Sequence, residues 1–317
     1  MKHQSERRLS LSSGLSLPCL ECLPELPSST PPILLLHGLS DDAHSYEPML
    51  RTLPPESHAV ALTQRGHGDA DRPADGYSVE QLARDAVDAL DQLGIDQAVI
   101  VGHSMGAHVA AMVAARHPAR AAGLVLLCGF DSLSESPELS REIDALIETV
   151  PDPMDPAWAR EFQASTLTGE VESAFFESVV RASSKVPPRV WRAAWAGMRD
   201  VDLRSALAVI HCPALLVWGS EDGFVSREMQ EQLLTHLPEA RLHIEAGVGH
   251  GVHWERPESV AAVVAEFANS CRFNRLSTAV KVQRKKLGGK FLGNSPMKVP
   301  AVLATAGNRL PLPKEIP

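Results

Sequence analysis

The sequence predicts a doubly wound α/β fold: a mostly parallel sheet with helices on both faces and a helical insertion after its sixth strand. Three observations carry the prediction. Short, wholly apolar runs recur at 33–36, 59–62, 98–101, 123–128 and 214–218. Runs of that length without polar alternation suit strands buried on both faces. Segments of helical period separate several of them, as crossovers between parallel strands require. Between Asp131 and about Asp202 the alternation stops, and helical segments follow one another with no strand between them.

Taken in order, the chain opens with Leu9, Leu11, Leu15 and Leu17 alternating around Ser12-Ser13-Gly14. That period of two reads as a hairpin. Lys2, Arg7 and Arg8 precede it as they would a signal peptide, but the serines break any continuous apolar region, so a cytoplasmic location is expected. Residues 24–32, rich in proline and serine, form a connecting loop. Strand 33–36 ends in His37-Gly38-Leu39, and strand 59–62 leads to Arg65-Gly66-His67-Gly68. Residues 77–93 read as a helix, with Ser78 as N-cap, Leu82, Ala86, Val87 and Leu90 on one face, and Gly94 as the stop. Strand 98–101 runs into Gly102-His103-Ser104-Met105-Gly106 and then an alanine-rich helix at 107–116. After strand 123–128 come helices at 137–150, 155–166, 171–183 and 188–198, then strands at 214–218 and 240–244 and a helix at 257–269. This divides the chain into a core (1–130), a helical cap (131–202), the rest of the core (203–271) and a basic extension (272–317).

Composition narrows the function. No apolar run is long enough to span a membrane, so no membrane anchor is expected. The net charge is −9, yet 272–317 hold ten Lys/Arg and one acid, which leaves −18 on the first 271 residues. Such a body repels nucleic acid and anionic lipid, and neither is expected as a partner. The extension lacks a sustained period and reads as disordered or loosely attached. Five cysteines, an odd count, argue against a full disulfide framework. Cys19-x-x-Cys22 has no second pair at zinc spacing and reads as two inert thiols, with Cys128 and Cys212 as small core residues. His250 and His253 form no H-E-x-x-H zinc motif.

The residues from Gly102 to Gly106 fit G-x-S-x-G, and strand, sharp turn, helix is the context in which that pattern acts as a nucleophile elbow. A serine nucleophile needs a base, and the base needs an orienting acid. Asp222 follows the strand ending at Trp218, and His250 follows the strand ending near Ile244. In a parallel sheet those loops open on the same edge as Ser104, so the three can converge. His253 is a rival base; Glu221 and Asp131 are rival acids. An oxyanion formed at Ser104 would meet the amides of Leu39 and Met105. His37 and Gly38 beside the site, and Trp158, Phe162, Trp191 and Trp195 from the cap, are the expected substrate contacts. The insertion holds six of the chain's fifteen aromatics, and ligands bind over the strand ends of such sheets.

These pieces resemble the α/β-hydrolase superfamily, particularly its small capped esterase, lactonase and haloperoxidase-like members. The likeness covers roughly 9–270 and rests on His37-Gly38, Arg65-Gly66-His67-Gly68, the 102–106 elbow, Gly219-x-x-Asp222-x-x-Val225, and Gly249-His250 followed by Glu255-x-Pro257. The resemblance implies Ser104 as nucleophile, His250 as base, Asp222 as acid, and Leu39 and Met105 as oxyanion donors, with no metal or organic cofactor. Thr63 departs from the family, which often has an acid two residues before the R-G-H-G arginine. The family's dehalogenases and epoxide hydrolases have aspartate where Ser104 stands. Its C–C bond hydrolases often have tryptophan where Gly251 follows His250. The expected activity is hydrolysis of carboxylic esters of small to medium substrates through an acyl-enzyme. A lactonase acting on enol-lactones or acyl-homoserine lactones is the alternative; a C–C bond hydrolase and a non-catalytic receptor stand further off. The expected partner is a small-molecule ester or lactone.

Overall fold

The computed structural model describes residues 4–134 and 136–271; what the sequence suggests for 272–317 lies outside them. The chain runs β1 (Gln4–Ser10), β2 (Ser16–Cys22), β3 (Ile33–Leu36), a 3-10 turn at Ala43–Tyr46, α1 (Glu47–Thr52), β4 (Ala59–Leu62), α2 (Val79–Leu93), β5 (Ala98–His103), α3 (Met105–Arg116) and β6 (Ala121–Leu127). Four helices follow without a strand: α4 (Pro137–Glu148), α5 (Pro156–Ser165), α6 (Ser173–Ser184) and α7 (Pro188–Arg199). The short α8 (Arg204–Leu207), β7 (Ala214–Gly219), α9 (Arg227–His236), β8 (Arg241–Glu245), α10 (Val252–Glu255) and α11 (Pro257–Ser270) complete the described chain.

The eight strands form one sheet in the order β1-β2-β4-β3-β5-β6-β7-β8, with β1 and β8 at its edges. β1 pairs antiparallel with β2, and β2 antiparallel with β4; every other pairing is parallel. The hairpin registers Leu9 on Leu17, and Gly14 takes φ 85° at its turn. β3 to β7 are buried at every position, which is why they read as continuous apolar runs. Ser78 caps α2 by accepting the Gln81 amide, and Gly94 closes it at φ 70°.

The parallel register sets the functional edge. Leu36 lies beside Gly102, His103 beside Leu127, Leu127 beside Val217 and Trp218 beside Ile244. The loops after β3, β5, β6, β7 and β8 therefore leave the sheet on one side. The cap rests over that side: Trp191, Trp195 and Met198 of α7 and Ile147 of α4 join the main apolar core. None of the five cysteines is in a disulfide; Cys19 and Cys22 are both buried in β2. Among the described residues no helix is long and apolar enough to cross a membrane.

Candidate active site

Ser104 stands at the junction of β5 and α3 with φ 50° and ψ −115°, a conformation costly for a residue with a side chain. The turn is held from both sides. The Ser104 amide donates to Leu127 O at 3.0 Å, and the Ala107 amide donates to Ser104 O at 2.8 Å. The flanking glycines are required by close approach. A Cβ at Gly102 would collide with the Gly106 carbonyl, and one at Gly106 would collide with the carbonyl of Leu36. α3 thus enters against β3, and the amide of Met105 belongs to its first turn, where helical N–H groups have no partner within the helix.

His250 Nδ1 lies 2.9 and 3.0 Å from the two carboxylate oxygens of Asp222. Asp222 Oδ1 also accepts the amides of Phe224 at 2.8 Å and Val225 at 3.0 Å. Burial alone would raise the Asp222 carboxyl, but the His250 ring and these two amides outweigh it and hold it below its ordinary value. Asp222 is therefore ionised at neutral pH, and it accepts the proton on Nδ1 of His250, whose ring borders the cleft. Ser104 and His250 line one narrow cleft of about 50 Å³. Leu39 lines it too.

The rivals point elsewhere. Asp131 is buried and meets His236 Nε2 at 3.3 Å. Glu221 takes a hydrogen bond from the neighbouring Ser220 hydroxyl at 3.3 Å. His253 is fully buried among Tyr46, His103 and Trp254, and burial holds it well below the ordinary histidine value. The thiol of Cys128 joins Asp222 and His250 in the one group of three potential metal ligands among the described residues. Burial and then the Asp222 charge hold that thiol well above its ordinary value, and Asp222 and His250 already bond each other, so the trio fits no metal.

Phe162 and Trp195 line the cleft as the sequence suggests, but four other expected contacts do not. His37 is fully buried; its Nδ1 bonds Gly38 O at 2.8 Å and its Nε2 accepts the Gln64 amide at 3.0 Å, so no ring atom is left for substrate. Gly38 faces His103 and Asp41. Trp191 is fully buried behind Phe162, edge-on to it with ring centres 4.8 Å apart. Trp158 stacks on Phe162 and donates its indole N–H to Thr149 Oγ1 at 3.2 Å. These two tryptophans buttress the wall instead of forming it.

The rest of the lining was not singled out from the sequence. Ile143 and Ile147 come from α4, Met198 from α7, Phe130 and Leu133 from the loop after β6, Thr166 from the end of α5, and Phe224 and Val225 from beside Asp222. Two signals could have found some of them. The spacings 143/147 and 195/198 put each pair on one helix face, and Val225 belongs to the Gly219-x-x-Asp222-x-x-Val225 pattern. A wider open groove of about 650 Å³ lies along Ser132–Ser134, Arg141 and Arg199–Asp202, but it contains neither Ser104 nor His250. Leu133 borders both spaces.

The sequence profile described as alpha/beta hydrolase fold matches residues 31–257. Among curated proteins, the chain is 28% identical over 250 residues to AB hydrolase superfamily protein YisY of Bacillus subtilis (strain 168), covering 75% of this chain and 92% of that one. It is 28% identical over 246 residues to Esterase YbfF of Escherichia coli (strain K12), covering 75% and 93%. Among solved structures it resembles the esterase EaEST from Exiguobacterium antarcticum with a TM-score of 0.75, at 21% identity, over 83% of this chain and 98% of that one. At that identity the last likeness is one of fold.

Proposed function

Because the chain belongs to the alpha/beta hydrolase family, we propose that it hydrolyses carboxylic esters of small to medium, uncharged acyl groups through an acyl-enzyme on Ser104. The observation that carries this reading is the Asp222–His250 pair, its two contacts at 2.9 and 3.0 Å, beside a strained Ser104 in the same apolar cleft.

His250 Nε2 takes the proton of Ser104 as Oγ attacks the ester carbonyl. The tetrahedral oxyanion is met by the amides of Met105 and Leu39. Collapse passes the proton from His250 to the departing alkoxide, which leaves as the alcohol. Water then enters, gives its proton to His250 and attacks the acyl carbon. The second collapse returns that proton to Ser104 Oγ and frees the carboxylic acid. Asp222 stays ionised throughout and stabilises the charged ring.

The lining supports an uncharged acyl group. Apart from Ser104, His250 and Thr166 it is apolar, and it contains no lysine or arginine to hold a substrate carboxylate. This and Gly251 after His250 weigh against a C–C bond hydrolase acting on a diacid.

The test is labelling with an alkyl fluorophosphonate together with turnover of p-nitrophenyl esters from C2 to C12 and a set of lactones. Ser104→Ala should abolish labelling and lower ester turnover by roughly 10³-fold or more with the melting temperature little changed. Ester turnover in that variant within tenfold of the parent would remove Ser104 from the mechanism. Lactones turned over far faster than any ester would reassign the substrate while leaving the triad in place.

A further inference from the structure

Buried polar groups join the cap to the loop that carries Leu39. Gln163, in α5, is 1% exposed. Its Nε2 lies 3.0 Å from Ser40 Oγ and 3.0 Å from Asp41 Oδ1, so the two amide hydrogens account for both contacts. The Ser183 hydroxyl of α6 donates to the same Ser40 Oγ at 3.0 Å. Two cap helices thus converge on one side chain, and that side chain belongs to the residue directly after Leu39.

Ser40 is fully buried and sits at φ 72°. A serine does not hold this left-handed conformation by preference, so its surroundings must impose it. The contacts continue inward. Asp41 Oδ2 is 3.9 Å from His103 Nδ1, and His103 Nε2 donates to His250 O at 2.9 Å. Hydrogen bonds thus tie the cap to the loop after β3, while the His103 ring lies beside the Asp41 carboxyl without a hydrogen bond to it and is itself anchored on the backbone of His250. An apolar side chain could fill the space of Gln163. Only a group with two directed hydrogens also fixes the orientation of Ser40 and Asp41.

We propose that Gln163 is a positioning residue for the oxyanion loop: acting from the cap, it holds Ser40 and Asp41 and thereby sets the Leu39 amide. Seating of the cap and assembly of the oxyanion site are then one event. This inference rests on the serine-hydrolase reading above, and its test separates the two.

The experiment compares full-length protein with Gln163→Met, which keeps the shape and removes both hydrogen bonds, and Ser183→Ala, which removes one contact to Ser40 at smaller cost to packing. Three quantities are read at 25 °C with the melting temperature as a control. They are the rate of fluorophosphonate labelling, kcat and KM on p-nitrophenyl butyrate, and inhibition by a propyl trifluoromethyl ketone against the matching methyl ketone. The trifluoromethyl ketone forms a hemiketal that uses the oxyanion donors; the methyl ketone binds the same wall without them.

Gln163→Met should lower labelling and kcat by at least about tenfold while KM stays within about twofold. Inhibition by the trifluoromethyl ketone should weaken by the same factor as kcat/KM, and that by the methyl ketone should not change. Ser183→Ala should move the same quantities in the same direction by less, and it carries the test alone if Gln163→Met fails to fold. Labelling and kcat within about twofold of the parent in the folded variants overturn the inference, as does equal weakening of both ketones. If the parent protein itself neither labels nor turns over ester, the reading beneath fails and takes this one with it.

Discussion

At Asp41 burial and ionisation oppose each other. Burial, reinforced by the neighbouring Asp42, pushes its carboxyl up to about 7, while the Gln163 amide pulls the other way. An acid whose folded value exceeds its unfolded value binds more protons folded than unfolded. Its contribution to stability is full below the unfolded value, near 3.8, and is lost as pH rises through about 7. The loss is on the order of a few kcal/mol. Asn at this position cannot ionise and escapes it. The melting temperature of Asp41→Asn minus that of the parent should therefore climb by several degrees between pH 4.5 and 7.5, whatever its starting offset. Thermal scans at three or four pH values measure this, and a difference that stays flat would contradict it. The residues proposed as a triad and their neighbours are unequally legible. Ser104, Asp222 and His250 stand out because short motifs follow strands, and a parallel sheet sends those loops to one side. Asp222 and Asp131 both follow strands, and only the folded chain shows that Asp131 turns to His236. Among the cap tryptophans, Trp195 lines the cleft while Trp158 and Trp191 stand behind it, for a related reason: an aromatic on an inserted helix can form a wall or back it, and the facing helix decides.

Elements with a regular apolar period or an unbroken apolar run are the easiest to read. The sheet strands, α2 and the four cap helices stand within a few residues of where the hydrophobic pattern puts them. α9 lacks such a pattern, because its sequence, REMQEQLLTH, is mostly polar. α3 begins at Met105, two residues before the alanine-rich run, because Ser104 itself makes the turn. One link between elements has a measurable consequence. Arg65, in the loop after β4, makes a two-pronged contact with Asp85 of α2 at 2.5 and 2.7 Å, and both side chains are almost fully buried. Thr63, where an acid is common in this family, accepts the Ala43 amide at 3.1 Å and does not meet that arginine. Asp85→Ala would leave the guanidinium buried without its partner. It should cost about 3–5 kcal/mol, a fall of roughly 10 °C in Tm. Replacing both residues by apolar ones of similar size, Arg65→Met with Asp85→Leu, should recover most of it. Calorimetry on the single and double variants checks both statements, and recovery would be missing if Arg65 contributed through contacts other than Asp85.

At the scale of the molecule, the described residues 4–271 hold the eight-stranded sheet and the cleft. The described chain ends usefully for a truncation, because Phe267 and Cys271 still pack against Gly123 of β6, and Cys271 is 4% exposed. A chain stopped after Cys271 should keep its Tm within a few degrees and retain its kcat/KM on p-nitrophenyl butyrate, while losing a net charge of +9. A sharp fall in Tm or an altered elution volume would show that 272–317 contribute to the folded body. The two margins of the sheet differ in kind from its apolar middle. β1 turns Glu6, Arg7 and Arg8 outward, and β8 carries Arg241, His243 and Glu245. A second molecule approaching either rim would have to lay its own backbone among these charges and strip water from them. Growth of the sheet from one copy to the next is thus opposed at both ends.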